Sequence, residues 1–354
     1  MLIGSMYSGL GGLDLACEWA LSARTAWQLD LVGAAVRRRH WPDALQIEAD
    51  VATVDPLELP PVDVLCGGFA CQDLSAAGTG AGLIDGSRTG PTYRHLCRFA
   101  AALRPGIVVM ENVPALLSRW REHMEADWQR LGYGLTWVRA RALDVGAPHR
   151  RARVFVVAEQ GAVGRGVLDA PTSGQWSPVE SEWTGAREGS SGLAGQVRTW
   201  PTPMSASTAP NGHSGSNRAL PNAVRPWPTP AVRDYRVGSG TNRDGTVPLS
   251  ESAAPTGGFG RRLSPAWVEC LMGLPCGWTE TTGSRLEADP SPRWPRGRYP
   301  AEWDRSHVWP GYDWEPARTL PDGPPARGRP ARIRAMGNAV VPQQGALAIQ
   351  VVHP

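Results

Sequence analysis

The chain contains no lysine, so all 36 of its basic side chains are arginine. Each cation is therefore a planar fork suited to bidentate pairing with carboxylate or phosphate. The six cysteines include no Cys-x-x-Cys pair, and their spacings suit no zinc site, so no metal is expected. Free cysteine most often fills core space, and that reading is adopted for Cys17, Cys66, Cys97 and Cys270. No apolar run approaches the roughly 20 residues that span a bilayer, which excludes a helical membrane span. Met1-Leu2-Ile3-Gly4 runs directly into a strand-like segment with no room for a signal peptide, so a cytoplasmic location is expected.

The net charge of +3 is unevenly spread. Residues 1–159 carry 16 arginines against 17 carboxylates, whereas residues 198–262 carry 8 against 3. The first 159 residues alternate strand-like and helix-like segments. Strands are expected at Leu2–Tyr7, Thr25–Leu31, Val62–Cys66, Ile107–Met110 and Arg153–Ala158. Helices are expected from Gly12 to Ala20, Val32 to His40 and Tyr93 to Leu103. This alternation predicts an α/β fold with a doubly wound, mostly parallel sheet. Near Gly161 the texture changes to Gly, Ser, Pro, Thr and Trp with little periodicity. The tryptophans argue against complete disorder, and an irregular, loop-rich region is expected. Its basic balance points to a polyanion. Helical character returns at Leu263–Leu274 and at Val340–Val352. The division expected is 1–160 plus 331–354 as one domain and 161–330 as a second, smaller one.

Four segments carry chemistry. Tyr7-Ser8-Gly9-Leu10-Gly11-Gly12 is a glycine-rich first turn that lets backbone approach a cofactor. Asp14 stands where a dinucleotide-binding turn would have its third glycine, which weakens a dehydrogenase reading. Gln28 and Asp30 lie towards the end of the second strand, within reach of a ribose, and Asp50-Val51 suits an adenine amino group. These point to a nucleoside-bearing cofactor without a pyrophosphate. Gly67-Gly68-Phe69-Ala70-Cys71-Gln72-Asp73-Leu74-Ser75 ends a buried strand on two glycines and presents a thiol where open α/β sheets bind ligands. A thiolate there is a candidate nucleophile. Glu111-Asn112-Val113 puts a carboxylate after the next strand. Arg151 and Arg153 lie two apart at a strand start, where alternation would point both to one side.

In this order, these segments resemble the DNA (cytosine-5) methyltransferase family of bacterial or phage type, over nearly the whole chain. Arg262-Leu263-Ser264-Pro265 through Trp278 resembles the segment after its target-recognition region. Gly337-Asn338-Ala339-Val340-Val341-Pro342 resembles its closing motif. The resemblance implies methyl transfer from S-adenosylmethionine to C5 of a flipped cytosine in a specific double-stranded DNA sequence. Cys71 would attack C6, Glu111 would hold the ring, and Arg153 with Arg151 would support it. Tyr7, Ser8, Gly9, Gly11, Gln28, Asp50, Val51, Asn338 and Val340 would hold the cofactor. Gln72 and Ser75, with Arg233, Arg236 and Arg243 of the basic stretch, would contact DNA. A monomer in a restriction-modification or phage-protective setting is implied, with a cognate endonuclease as a partner. The tRNA-methylating branch of the same fold and an inactive DNA-binding relative are the alternatives. Four positions depart from the family pattern: Ala70 replaces proline, Gln28 glutamate, His149 glutamine and Pro91 leucine.

Overall fold

The computed structural model describes residues 1–70, 89–147, 149–171, 230, 249, 262–288, 319–320 and 328–354. Eight strands form one sheet. They are β1 (Leu2–Met6), β2 (Arg24–Leu29), β3 (Leu45–Ile47), β4 (Val64–Gly67), β5 (Ile107–Asn112), β6 (Tyr133–Ala140), β7 (Arg153–Gln160) and β8 (Gly166–Asp169). Their order is β3-β2-β1-β4-β5-β7-β6-β8. All neighbours are parallel except β5/β7 and β6/β7, which are antiparallel. The expected mostly parallel, doubly wound sheet is present. From β1 the chain pairs outward to β2 on one side and later to β4 on the other. That reversal leaves a crevice at the carboxyl ends of β1 and β4.

Side-chain alternation assigns the two faces. On β7, Phe155 and Val157 enter one core with Ile3, Val64, Cys66 and Val109. Val154, Val156 and Ala158 enter the other with Met6, Leu65, Val108 and Met110. Helices α1 (Gly12–Leu21), α2 (Ala34–His40), α5 (Pro265–Leu271), α6 (Arg329–Asn338) and α7 (Pro342–Val352) add buried side chains to the first core. Helices α3 (Thr89–Leu103) and α4 (Ala115–Arg130) cover the second through Tyr93, Leu96, Phe99, Leu116, Met124 and Trp128. A sheet buried on both faces explains the near-continuous apolar run of β7. Each fully buried large side chain there stabilises by about 2–3 kcal/mol.

The chain's end folds back onto its beginning, as expected. Helix α7 lies on α1 so closely that a Cβ at Gly345 would be 2.7 Å from the Ala16 Cβ.

Several expectations need correction. Strand β8 still belongs to the large sheet, parallel to β6, so the sheet runs past residue 160. Residues 263–278 share the first core: Leu263, Trp267, Leu271, Leu274 and Trp278 pack with Leu10, Leu13 and Trp41. Trp278 Nε1 donates to the Leu10 carbonyl at 3.1 Å, and its ring stacks on His40 at 3.6 Å. This stretch thus packs into the same core as α1 and α2. Glu269, fully buried, fixes the turn after α5 by accepting from the Gly277 and Thr279 amides and pairing with Arg332 of α6 at 2.9 Å. Cys270 is only half-buried, and its Sγ lies 2.7 Å from that of exposed Cys276, so it is not core filler. No described helix is long and apolar enough to cross a membrane.

Candidate active site

The site forms at the carboxyl edge of β1, β2, β4 and β5. Glu111, near the end of β5, stands opposite Phe155 of β7 in the antiparallel register. Arg153 is two residues from Phe155 on the same side of the strand, so it is the diagonal cross-strand neighbour of Glu111. Its Nε lies 2.8 Å from Glu111 Oε1, and both side chains keep some exposure, 19% and 12%. The other carboxylate oxygen, Oε2, lies over Gly68. A Cβ there would be 3.3 Å from it, so glycine leaves that oxygen uncrowded. Asn112 points to the opposite face, and its Nδ2 donates to the Phe69 carbonyl at 3.1 Å. Two consecutive residues of one motif thus do different work: Glu111 faces the site, and Asn112 holds the backbone leading out of β4.

Arg151 does not join Arg153. Its φ of 28° takes the backbone out of the extended region, and β7 begins only at Arg153, so strand alternation does not apply. The side chain is 3% exposed. It donates to the carbonyls of Pro230 at 3.3 Å, Gly337 at 3.2 Å and Ala339. These last two carbonyls end α6, where helices leave acceptors unsatisfied and favour a cation. Arg151 is therefore a cap that pins the 337–340 turn, apart from the Glu111–Arg153 pair. His149 beside it is wholly buried, with Nε2 2.7 Å from the Leu271 carbonyl. Burial above all, with nearby Arg151 and Arg153 adding to it, pushes its pKa down to about 3 against the pull of that carbonyl. A neutral ring donating from Nε2 satisfies this arrangement.

The first glycine turn is sharply bent. Tyr7, Gly9 and Gly11 all have positive φ, at 54°, 51° and 79°. A side chain at Gly11 would meet the Trp41 ring at 2.2 Å, and one at Gly12 would meet the Val340 carbonyl at 2.4 Å. Val340 is thereby seated beneath the turn, while Asn338 is exposed. Ser8 is buried and donates to the Ser5 carbonyl. The Tyr7 hydroxyl donates to the Thr92 carbonyl at 3.1 Å. Burial, then the charges of Asp50 and Asp30, raise the pKa of that phenol far above its usual range.

Gln28 does not reach this edge. It is wholly buried; its Nε2 donates to Asp14 Oδ1 at 2.6 Å, and its Oε1 accepts from Gln46 Nε2 at 2.6 Å. Both ends of the amide are engaged beneath the surface, away from the expected ribose contact. Burial raises the Asp14 pKa to about 6, with the bonds from Gln28 and Ser5 opposing. The acid at the edge is Asp30, just beyond β2. Its Oδ2 accepts from the Gly9 amide at 2.9 Å and its Oδ1 from the Val32 amide at 3.0 Å. Asp50 follows β3 and turns its own backbone, accepting from the Ala52 amide. Val51 is buried, and its carbonyl accepts from Arg98.

Sequence reasoning gave no role to Arg37. It is fully buried and donates to the Gly9 carbonyl at 2.9 Å, to the Val32 carbonyl and to Gln46 Oε1 at 3.1 Å. It stitches the glycine turn to β2 and β3. Its neighbours diverge: Arg38 pairs with Glu48, and Arg39 donates to the carbonyls of Gly277, Glu280 and Ser284. Cys71, Gln72, Ser75, Arg233, Arg236 and Arg243 lie outside the described residues. Among the described residues, no group of three or more His, Cys, Asp or Glu could hold a metal ion.

A family model described as C-5 cytosine-specific DNA methylase matches residues 1–165. The type II methyltransferase M2.BsuMI of Bacillus subtilis is 32% identical over 166 residues, 45% of this chain and 42% of that protein. The type II methyltransferase M.NgoFVII of Neisseria gonorrhoeae is 32% identical over 161 residues, 43% of this chain and 42% of its own length. The chain thus spans less than half the length of these curated relatives. A solved structure of a Spodoptera frugiperda DNMT2 mutant is similar across the whole chain and 99% of its own, at 13% identity and a TM-score of 0.53, a likeness of fold. On these matches, residues 1–165 are similar to the C-5 cytosine-specific DNA methylase family.

Proposed function

We propose that the chain transfers a methyl group from S-adenosylmethionine to C5 of cytosine in a specific double-stranded DNA sequence. The observation that carries this reading is the Glu111–Arg153 pair at the sheet edge, with Glu111 Oε2 held open over Gly68, three residues before Cys71. The Cys71 thiolate adds to C6, which raises electron density at C5. Glu111 holds ring N3 and the exocyclic amine through Oε2, and Arg153 fixes the carboxylate through Oε1 and stabilises charge developing on the ring. After methylation a base removes the C5 proton, the C6–S bond breaks, and the thiolate returns. The target base is flipped from the duplex at a cost of a few kcal/mol, since neither group reaches a stacked cytosine.

The residues present suit the cofactor. The positive-φ turn at Tyr7, Gly9 and Gly11 offers close backbone approach, and Asp30 and Asp50 both bear on Tyr7, acids suited to a cationic sulfonium and its ribose. When bound, S-adenosylmethionine supplies the methyl group. Asp30 replaces Gln28 as the ribose acceptor, Val51 lines the adenine side, and Ser8, Asn338 and Val340 complete the pocket. Target recognition falls to the basic stretch between Ala170 and Arg262, with Arg233, Arg236 and Arg243 contacting DNA beside Gln72 and Ser75. The protein acts as a cytoplasmic monomer.

Incubating the purified chain with S-adenosylmethionine and mixed-sequence duplex, then bisulfite sequencing, tests this reading. It predicts 5-methylcytosine at one fixed short sequence. Protection of tRNA cytosine with none in DNA would overturn it.

A further inference from the structure

Residues 71–88 leave the described structure at Ala70 and return at Thr89, the first residue of α3. One side chain touches both points. Thr92 Oγ1 accepts from the Ala70 amide at 3.2 Å and donates to the Thr89 carbonyl at 2.8 Å. The carbonyl of the same residue accepts from the Tyr7 hydroxyl at 3.1 Å. Thr92 therefore meets three points at once: the exit to Cys71, the return from it, and the glycine turn. The bond from Ala70 requires that position 70 carry an N–H, which proline would lack. The departure at Ala70 and the hydroxyl at Thr92 are thus a matched pair, in which a hydrogen bond does the work a rigid ring would otherwise do.

We propose that Thr92 is a positioning residue that fixes the backbone leading to Cys71 and, through its carbonyl, ties that backbone to the cofactor turn. The inference rests on the methyltransferase reading. Thr92 touches neither base nor cofactor in this role. Its hydroxyl sets where Cys71 starts, and its carbonyl sets where Tyr7 sits. Valine preserves the shape and the carbonyl but removes the hydroxyl, so the two functions separate.

Steady-state methylation by the full chain tests the inference. Thr92→Val and Thr92→Ala should each lower kcat roughly three- to tenfold, the size of one hydrogen bond, with the KM for S-adenosylmethionine within about twofold of the parent. Thr92→Ser should restore kcat. In an Ala70→Pro background the donor is already gone, so adding Thr92→Val should cost nothing further. Parental kcat in both Thr92→Val and Thr92→Ala, or an equal loss from Thr92→Val in the parent and in the Ala70→Pro background, would overturn the inference while leaving the enzyme reading intact. A parent chain that forms no 5-methylcytosine would overturn the enzyme reading, and this inference with it.

Discussion

Arg153 Nε stands 2.8 Å from Glu111 Oε1, across the antiparallel junction of β5 and β7. The two residues are 42 positions apart in the sequence, yet the register makes them diagonal neighbours. Arg153→Ala should reduce single-turnover methylation by about a hundredfold, because it removes both the partner of Glu111 and a cation near the reacting ring. Arg153→Lys should recover only part of that rate, since a point charge does not reproduce the guanidinium fork. Equal rates for Arg153→Lys and the parent would show that charge alone is used.

Arg151 should behave differently. A lysine at this position cannot span the Gly337, Ala339 and Pro230 carbonyls, so Arg151→Lys should lower unfolding stability by about 2–3 kcal/mol in urea. The KM for S-adenosylmethionine should rise, because the 337–340 turn loosens. The rate at saturating cofactor, per folded molecule, should stay near the parent's. A hundredfold fall in that rate would return Arg151 to the catalytic set.

Much of this was readable in advance, and the reasons are local. The runs at Leu2–Met6 and Arg153–Ala158 are too apolar to be anything but buried strands, and the glycine turns announce sharp backbone reversals. Helix α4 was not seen, because only Leu116, Met124 and Trp128 are buried on an otherwise polar surface. Strand β6 was missed for a related reason: Gly134, Thr136 and Arg139 dilute its apolar pattern. Arg151 points away from Arg153 because its φ of 28° breaks the extended backbone that alternation requires. Gln28 sits at a strand end, but the pleat turns its side chain inward to Asp14 and Gln46. Neither φ nor the partner across a sheet is written in a local pattern.

Those two strand-end residues, Gln28 and Asp30, give a direct comparison. Asp30→Asn should weaken S-adenosylmethionine binding by about tenfold in calorimetry, at a stability cost of about 1 kcal/mol, because the amide loses the charge and its one oxygen can accept from Gly9 but not also from Val32. Gln28→Glu should instead destabilise the fold, since it sets a second carboxylate against buried Asp14. Tighter cofactor binding by Gln28→Glu would restore the ribose role to residue 28.

His149 gives the protein a pH signature. Its folded pKa, about 3, lies below the unfolded value near 6.5, so the unfolded chain takes up the proton first. The associated stability is complete above about pH 6.5 and is lost as pH falls towards about 3. Between about pH 7 and pH 5 this amounts to roughly 2 kcal/mol at 1.36 kcal/mol for each pH unit. His149→Gln should lack that part of the acid sensitivity. Urea unfolding at the two pH values measures it, and identical pH dependence in parent and variant would count against a buried neutral ring.

The central claim is that Cys71 attacks the ring held by Glu111 and Arg153. Duplex DNA carrying 5-fluorocytosine at the methylated position offers the most direct measurement, because fluorine at C5 blocks the final elimination and leaves the C6–S bond intact. With S-adenosylmethionine, the parent should form a covalent protein–DNA complex stable to denaturant, with peptide mass spectrometry placing the adduct on Cys71, and Cys71→Ser should form none. A stable complex with Cys71→Ser, or an adduct on another cysteine of the parent, would contradict the account.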